Sequence, residues 1–253
     1  MNIYITGDTH ADFRRFGAEH FVDRECYVIV CGDFGGIWDN SKTEKYWLDW
    51  LENKKFTLLF VDGNHENFDM LNSFPVTEWN GGKVHMIRKN IIHLMRGQVF
   101  TIEGLRFFTF GGGQSHDIDA GILDRSDPDF AIKKKRFDRE NALYRIDHES
   151  WWREELPSED EMEEGLENLE KVGNRVDVVI SHSAPSSIVD IFSRGSFRHD
   201  VLTDYLEKID GRISFDAWFF GHYHESQMIG RKYVMLYEYF VELKEFLKPQ
   251  AGL

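Results

Sequence analysis

The sequence predicts an α/β fold, and three observations carry it. Over residues 2–74, short β-rich apolar runs alternate with segments of helical period. From 84 to 110 the apolar runs become short and closely spaced, as in antiparallel strands. Along the whole chain, five apolar runs end in the same kind of polar cluster.

Residues 2–6 read as a buried strand and 11–20 as a helix. Residues 26–31 are a second strand. A helix follows over 42–54, where Thr43, Tyr46, Trp47, Trp50 and Leu51 recur at helical spacing. Residues 56–61 are a third strand, and 67–74 a short helix stopped by Pro75. Strands are expected at 84–87, 91–94, 98–102 and 105–110, with hairpin turns at Lys89-Asn90 and Glu103-Gly104. They imply a second sheet, or antiparallel strands on the edge of the first. Residues 112–158 resist assignment and are long for a loop, which marks function or an unrecognised helix. Ser158 with Glu161 is a capping box opening a helix to about 172, with Met162, Leu166 and Leu169 facing inward. A strand at 176–180, a helix at 199–209 and strands at 217–220, 227–229 and 233–236 complete the reading.

With 253 residues, 42% hydrophobic and 15% aromatic, the chain can bury a substantial core. One domain over 1–253 is expected, with a Trp-rich insertion at about 112–158. The formal charge of −14 repels nucleic-acid backbones and anionic membranes, which disfavours both as partners. It does not exclude a phosphate substrate, because bound cations invert a local field. Cys26 and Cys31 flank one predicted strand, which argues against a disulfide and for a reducing, cytoplasmic compartment. The N-terminus runs into a strand without a signal peptide's features. No apolar run approaches the ~20 residues of a membrane-spanning helix. The oligomeric state is not legible.

The five clusters are Asp8-Thr9-His10, Gly32-Asp33, Gly63-Asn64-His65, Ser181-His182 and Gly221-His222-Tyr223-His224. In a parallel sheet the carboxyl ends of the strands share one rim, where ligands bind, so these loops converge. Asp8 and His10 are two apart, as are His222 and His224; each pair points to one side of an extended exit and can grip one ion. Gly221 lets the backbone turn sharply. Asp33 suits a carboxylate shared between two ions, and Asn64 offers a neutral oxygen. Taken singly, Asp8 or Asp33 is an ordinary cap or turn residue. As a set, Asp8, His10, Asp33, Asn64, His182, His222 and His224 mix oxygen and nitrogen without thiolate. That points to two divalent cations at open catalytic positions, Mn, Fe, Zn or Ni, with Mn favoured. Two such ions ~3.5–4 Å apart polarise a phosphoryl oxygen and make a bridging hydroxide at neutral pH. Asp33 and His65 are the expected catalytic residues, with His65 protonating the departing oxygen.

These residues resemble the calcineurin-like metallophosphoesterases. That family's pattern is Asp-x-His, Gly-Asp, Gly-Asn-His-Asp/Glu, a lone His after a strand, and Gly-His-x-His. It stands here as Asp8-Thr9-His10, Gly32-Asp33, Gly63-Asn64-His65-Glu66, His182 and Gly221-His222-Tyr223-His224, over residues 1 to about 236. The resemblance implies a four-layer α/β/β/α sandwich of two mixed sheets and a dinuclear site. By motif position, Asp8, His10 and His224 would hold the first metal and Asn64, His182 and His222 the second. Asp33 would bridge them, and His65 would contact phosphate and act as acid. The protein-phosphatase branch extends its second motif to Gly-Asp-x-x-Asp-Arg-Gly; Gly36 and Ile37 stand here at the Asp and Arg. That weakens the protein-phosphatase reading and leaves open what orients His65. The chain is similar to bacterial and phage-type members with a Phe-Gly-Gly segment and a Trp-rich insertion, here Phe110-Gly111-Gly112 and Trp151-Trp152.

The expected function is hydrolysis of phosphate mono- or diesters, with a small phosphorylated metabolite or nucleotide favoured as substrate. The alternatives are a metal-binding interaction or scaffolding module with little turnover, and a protein Ser/Thr phosphatase or nuclease. Candidate substrate contacts are Asn64, His65, Ser115, His116 and Arg194. Trp38, Trp151 and Trp152 suit stacking on a base and core packing alike. Glu66 reads as a charge in a helix's first turn. Lys133 to Arg136 read as a solvated helix face, and His85 and His93 as packing or surface residues. His20, His148 and His199 carry no usable spacing.

Overall fold

The computed structural model describes residues 1–17 and 24–248, so His20 and the end of the helix expected at 11–20 lie outside the described residues. The chain begins with β1 (Asn2–Thr6), β2 (Cys26–Val30), α1 (Lys42–Glu52), β3 (Thr57–Phe60) and α2 (Phe68–Leu71). Next come β4 (Val76–Trp79), β5 (Gly82–Arg88), β6 (Ile91–Leu94), β7 (Gln98–Ile102) and β8 (Leu105–Phe110). Residues 112–158 contain β9 (Ile122–Leu123), α3 (Phe130–Glu140) and β10 (Arg145–Ile146). Then follow α4 (Glu159–Lys171), β11 (Val178–Ser181), α5 (Ser186–Ser193), α6 (Val201–Asp210) and β12 (Ala217–Phe220). The described chain closes with β13 (Gln227–Ile229), β14 (Tyr233–Met235), β15 (Val241–Glu242) and α7 (Leu243–Phe246). Among these, no helix is long and apolar enough to cross a membrane.

Two large mixed sheets result. The first has the order β15-β1-β2-β3-β6-β5-β4, with β1, β2, β3 and β6 parallel and antiparallel strands at its edges. The second has the order β13-β14-β12-β11-β8-β7, parallel through β14, β12, β11 and β8. Both outcomes expected for the 84–110 strands therefore occur. β4 to β6 extend the first sheet, and β7 and β8 begin the second.

Side chains of a strand alternate between two faces. Ile3, Ile5, Ile29 and Leu59 of the first sheet meet Phe107, Val178, Ile180 and Phe219 of the second in one buried core. Tyr4, Val28, Val30 and Phe60 face the other way, onto Leu48 and Leu51 of α1. Phe108, Val179, Trp218 and Phe220 face Leu169 of α4 and Leu202 and Leu206 of α6. Helix, sheet, sheet and helix thus follow in layers, the sandwich that the resemblance implied.

Local chemistry fixes the helix starts. Ser41 caps α1 by accepting from Glu44 N at 3.1 Å, and Glu44 collects the amides of Trp38, Asp39 and Asn40. The capping box of Ser158 and Glu161 opens α4 as expected. Elsewhere the structure departs from the sequence reading. Of the helix expected at 11–20, the described residues 11–17 hold a 3-10 turn, Phe13–Phe16, whose two phenylalanines are buried. β4 escaped notice because three of its four residues are exposed. α5 is a short helix between Pro185 and a left-handed Arg194. α3 buries only Phe137 and leaves Ile132 exposed, so it carries no apolar period. Its cations face solvent, two of them paired as Lys133 with Asp127 and Lys134 with Asp138.

The 112–158 segment is tied to α2 by Asp69, which accepts from Trp152 Nε1 at 2.8 Å and lies 2.8 Å from His148 Nδ1. Beneath the rim, Asp62 is buried against Arg96, whose Nε donates to Oδ2 at 2.9 Å, and His93, whose Nε2 is 3.1 Å from Oδ1. His85 lies 3.1 Å from His93 across the β5–β6 pair, so both histidines are buried partners rather than surface residues. Burial opposes charge on Asp62, but Arg96 and His93 hold its carboxyl well below the usual range. Arg96→Ala strands that carboxylate in the interior and is expected to lower unfolding free energy by about 3–5 kcal/mol. Urea denaturation checks this; a loss below ~1 kcal/mol is what an exposed pair would give.

Candidate metal centre

Each polar cluster follows a strand. Asp8 and His10 leave β1, Asp33 leaves β2, and Asn64 and His65 leave β3. His182 leaves β11, and His222 and His224 leave β12. These strands run parallel within their sheets and end at matched register, Thr6 beside Val30, Val30 beside Phe60, and Ile180 beside Phe219. Two sheets packed face to face then bring five loops to one rim.

The loops are held in uncommon conformations. His10, Asp33, His222 and His224 all have positive φ, between 45° and 71°. Such strain persists where surrounding structure over-determines it, and it collects at functional sites. The glycine before His222 serves a purpose other than the turn expected of it. A Cβ on Gly221 would collide with Asp8 Oδ1, and one on Gly63 with Asp33 Oδ1. The positive φ belongs to His222 itself, at 71°.

Two groups of lone-pair atoms form. In the first, Asp8, His10, Asp33 and His224 each offer one atom, all within 4.8 Å of one another. His10 Nε2 is 3.0 Å from His224 Nε2, and His224 Nε2 is 3.3 Å from Asp8 Oδ2. In the second, His182 Nε2 lies 3.1 Å from Asn64 Oδ1 and 3.4 Å from Asp33 Oδ1. His222 joins that side, its ring centroid 4.9 Å from that of His182. Asp33 thus presents one oxygen to each group, Oδ2 lying 3.7 Å from His10 Nε2.

Supporting bonds aim these atoms. His182 Nδ1 donates to the Cys31 carbonyl at 2.8 Å, which leaves Nε2 to face Asn64 and Asp33. Burial works against a charge on His182, yet the Asp33 and Asp8 carboxylates outweigh it and raise its pKa to about 9. The field that would hold a second proton there also suits a divalent cation. Burial likewise opposes the charge of Asp33, which His182, His65 and His10 restore, keeping its pKa low. His222 is pushed to the neutral, ligating form by burial and by His182. A donor set of carboxylate oxygens and imidazoles, of which Asp8, His10, Asp33 and His224 converge within 4.8 Å, fits a divalent cation.

Three residues emerge with roles the sequence did not disclose. Glu66 is not in a helix's first turn, because α2 starts at Phe68 with Asn67 as its cap. It is fully buried and accepts from the amides of Phe34 at 2.7 Å and Gly35 at 3.2 Å, anchoring the loop that carries Asp33. Ser115 is buried, lines neither cavity beside the centre, and donates to Glu155 Oε2 at 2.7 Å while accepting from Asn64 Nδ2 at 3.3 Å. It orients Asn64 from behind. Arg145, from the two-residue β10, donates through Nε to Asp117 Oδ1 at 2.9 Å.

Two cavities adjoin the centre. One of ≈ 230 Å³ is lined by Asp33, Asn64, His116, Asp117, His222 and others, and His116 stacks there on Phe197 at 5.3 Å. The second, of ≈ 630 Å³, is lined by His10, Trp38, Trp47 and Arg145 among others. His65 lines both. Arg194 is exposed and lines neither.

A family model for calcineurin-like phosphoesterases matches residues 1–226. The chain belongs to the calcineurin-like phosphoesterase family. Family membership brings metal-dependent phosphoester hydrolysis with it, and the Asp8, His10, Asp33 and His224 group is able to hold a metal ion. Among curated proteins, none matches this chain. In this calcineurin-like phosphoesterase, no carboxylate among the described residues accepts a hydrogen bond from the His65 ring. Its backbone N donates to Asp33 Oδ1 at 2.7 Å, and its ring stands edge-on to His10 at 5.1 Å between centroids. Backbone anchoring and ring packing therefore set His65.

Proposed function

We propose that this chain hydrolyses phosphate mono- or diesters of small metabolites or nucleotides with two divalent cations. The supporting observation is the position of Asp33, which offers one carboxylate oxygen to each of two groups of ligating atoms. Asp8, His10 and His224 would hold one cation and Asn64, His182 and His222 the other, with Asp33 shared. When bound, such a pair polarises the phosphoryl group and lowers the pKa of water. Mixed oxygen and imidazole donors suit Mn, Fe, Zn or Ni, and Mn is the cation proposed here. His65 lies beside both cavities, where it can contact a phosphate oxygen and deliver a proton to the leaving oxygen.

The deciding experiment is hydrolysis of p-nitrophenyl phosphate, bis-p-nitrophenyl phosphate and a nucleotide panel with Mn, Fe, Zn or Ni. Turnover that is highest with Mn and lost to a chelator is expected. Silence on every ester with every metal would favour a binding or scaffolding role.

Glu66 supplies a second test. Glu66→Ala frees the amides of Phe34 and Gly35 and loosens Asp33, so Mn affinity should fall about 10–100-fold, as for other groups that orient ligands. Calorimetric titration reads this directly, and an unchanged affinity would remove Glu66 from the account.

A further inference from the structure

We propose that the ≈ 630 Å³ cavity takes the organic part of the substrate, and that this part carries a planar aromatic ring system of nucleobase size. The proposal rests on the phosphoesterase reading and narrows it. A cavity of this volume lies in the range of small-molecule sites, ~300–1,000 Å³. A phosphate alone does not need it, because the neighbouring ≈ 230 Å³ cavity holds the ligating atoms of Asp33, Asn64 and His222. His65 lines both, so an ester bound at the centre has one side open to the larger space.

The walls of that space select its occupant. Trp38 and Trp47 are both partly exposed and both line it. Each is fixed from behind. Trp38 packs edge-on against Trp152 at 5.4 Å, its carbonyl accepts from Asn67 Nδ2 at 2.7 Å, and its amide donates to Glu44 Oε2 at 2.7 Å. Trp47 stands edge-on to Phe13 at 6.1 Å and to Trp50 at 5.4 Å. Indoles held in place before a ligand arrives lose little entropy on stacking. Ser41 and Thr43, at the start of α1, add hydroxyls to the same lining, suited to the polar edge of a base. Among the described residues, Arg145 is the only Lys or Arg lining either cavity, and its partner Asp117 lines the smaller one. The guanidinium therefore lies where the two spaces meet, near the phosphate end of such a ligand. A sugar phosphate without a base would leave both indoles in water.

Adenosine 5′-monophosphate and ribose 5-phosphate share the departing oxygen and differ by the base, as do their methyl diesters. With the Mn-loaded protein, kcat/KM is expected to favour the adenosine ester by about tenfold, the size of one base–aromatic stack. Thr43→Phe, on the exposed first turn of α1, fills the cavity and should erase that preference. Trp47→Leu, which removes one wall, should reduce it. Quenching of tryptophan fluorescence by adenosine 5′-monophosphate reads the cavity without turnover, and its Kd should weaken about tenfold in Thr43→Phe. Quenching that Thr43→Phe weakens, with no ester hydrolysed, would support the aromatic pocket and remove the enzymatic reading. Equal kcat/KM for the two esters, or quenching untouched by Thr43→Phe, overturns the pocket and leaves the phosphoesterase reading standing.

Discussion

Asp33→Asn is expected to lower bound metal and kcat/KM together, the latter by about a thousandfold. Asp33 is a buried carboxylate of the metal-capable group, and its two oxygens face His10 and His182. The amide that replaces it keeps the shape and loses the charge. Metal ions contribute several kcal/mol of transition-state charge stabilisation, and about 4 kcal/mol corresponds to a factor of a thousand in rate. Because Oδ1 also accepts from His65 N at 2.7 Å, the loop carrying His65 loses a charged anchor in the same step. Elemental analysis of the dialysed protein beside an ester assay makes the measurement. Full metal content with full turnover would contradict a shared carboxylate.

His65→Ala should retain metal and slow hydrolysis about 10²–10⁴-fold for esters with poor leaving groups. Esters of p-nitrophenol, whose leaving group needs no proton, should be slowed far less. Burial lowers the His65 pKa, Arg145 and His182 push the same way, and Asp33 opposes them. A neutral imidazole can still donate a hydrogen bond to phosphate, whereas acid catalysis requires the imidazolium. The leaving-group series separates the two. Slowing that is uniform across the series would leave His65 as a phosphate contact without an acid role.

The legible part of this molecule was what buried strands impose. Runs such as 26–31 and 56–61 are apolar on both faces because each sheet is covered by the other sheet inside and by helices outside. A side chain immediately after such a run is carried to the rim by the strand, so the places of Asp33, Asn64 and His182 could be named from order alone. What escaped depends on contacts between loops. Glu66 and Ser115 matter through Phe34 and Asn64, distant partners that no local pattern records. Arg145 reaches the site from a two-residue strand inside a polar segment, where neither periodicity nor motif marks it. Trp151-Trp152 was visible as a pair, but only packing shows Trp152 buried behind Trp38. The reason for Gly221 was also hidden, because the crowding comes from Asp8, 213 residues away in the chain.

Anomalous diffraction from a crystal grown with Mn²⁺ tests the proposed dinuclear centre most directly. Two peaks about 4 Å apart are expected, as in other two-metal sites. One should lie against Asp8, His10 and His224, the other against Asn64, His182 and His222, with Asp33 between them. A single peak that Asp33 does not touch, or none at this rim at saturating Mn²⁺, would contradict it.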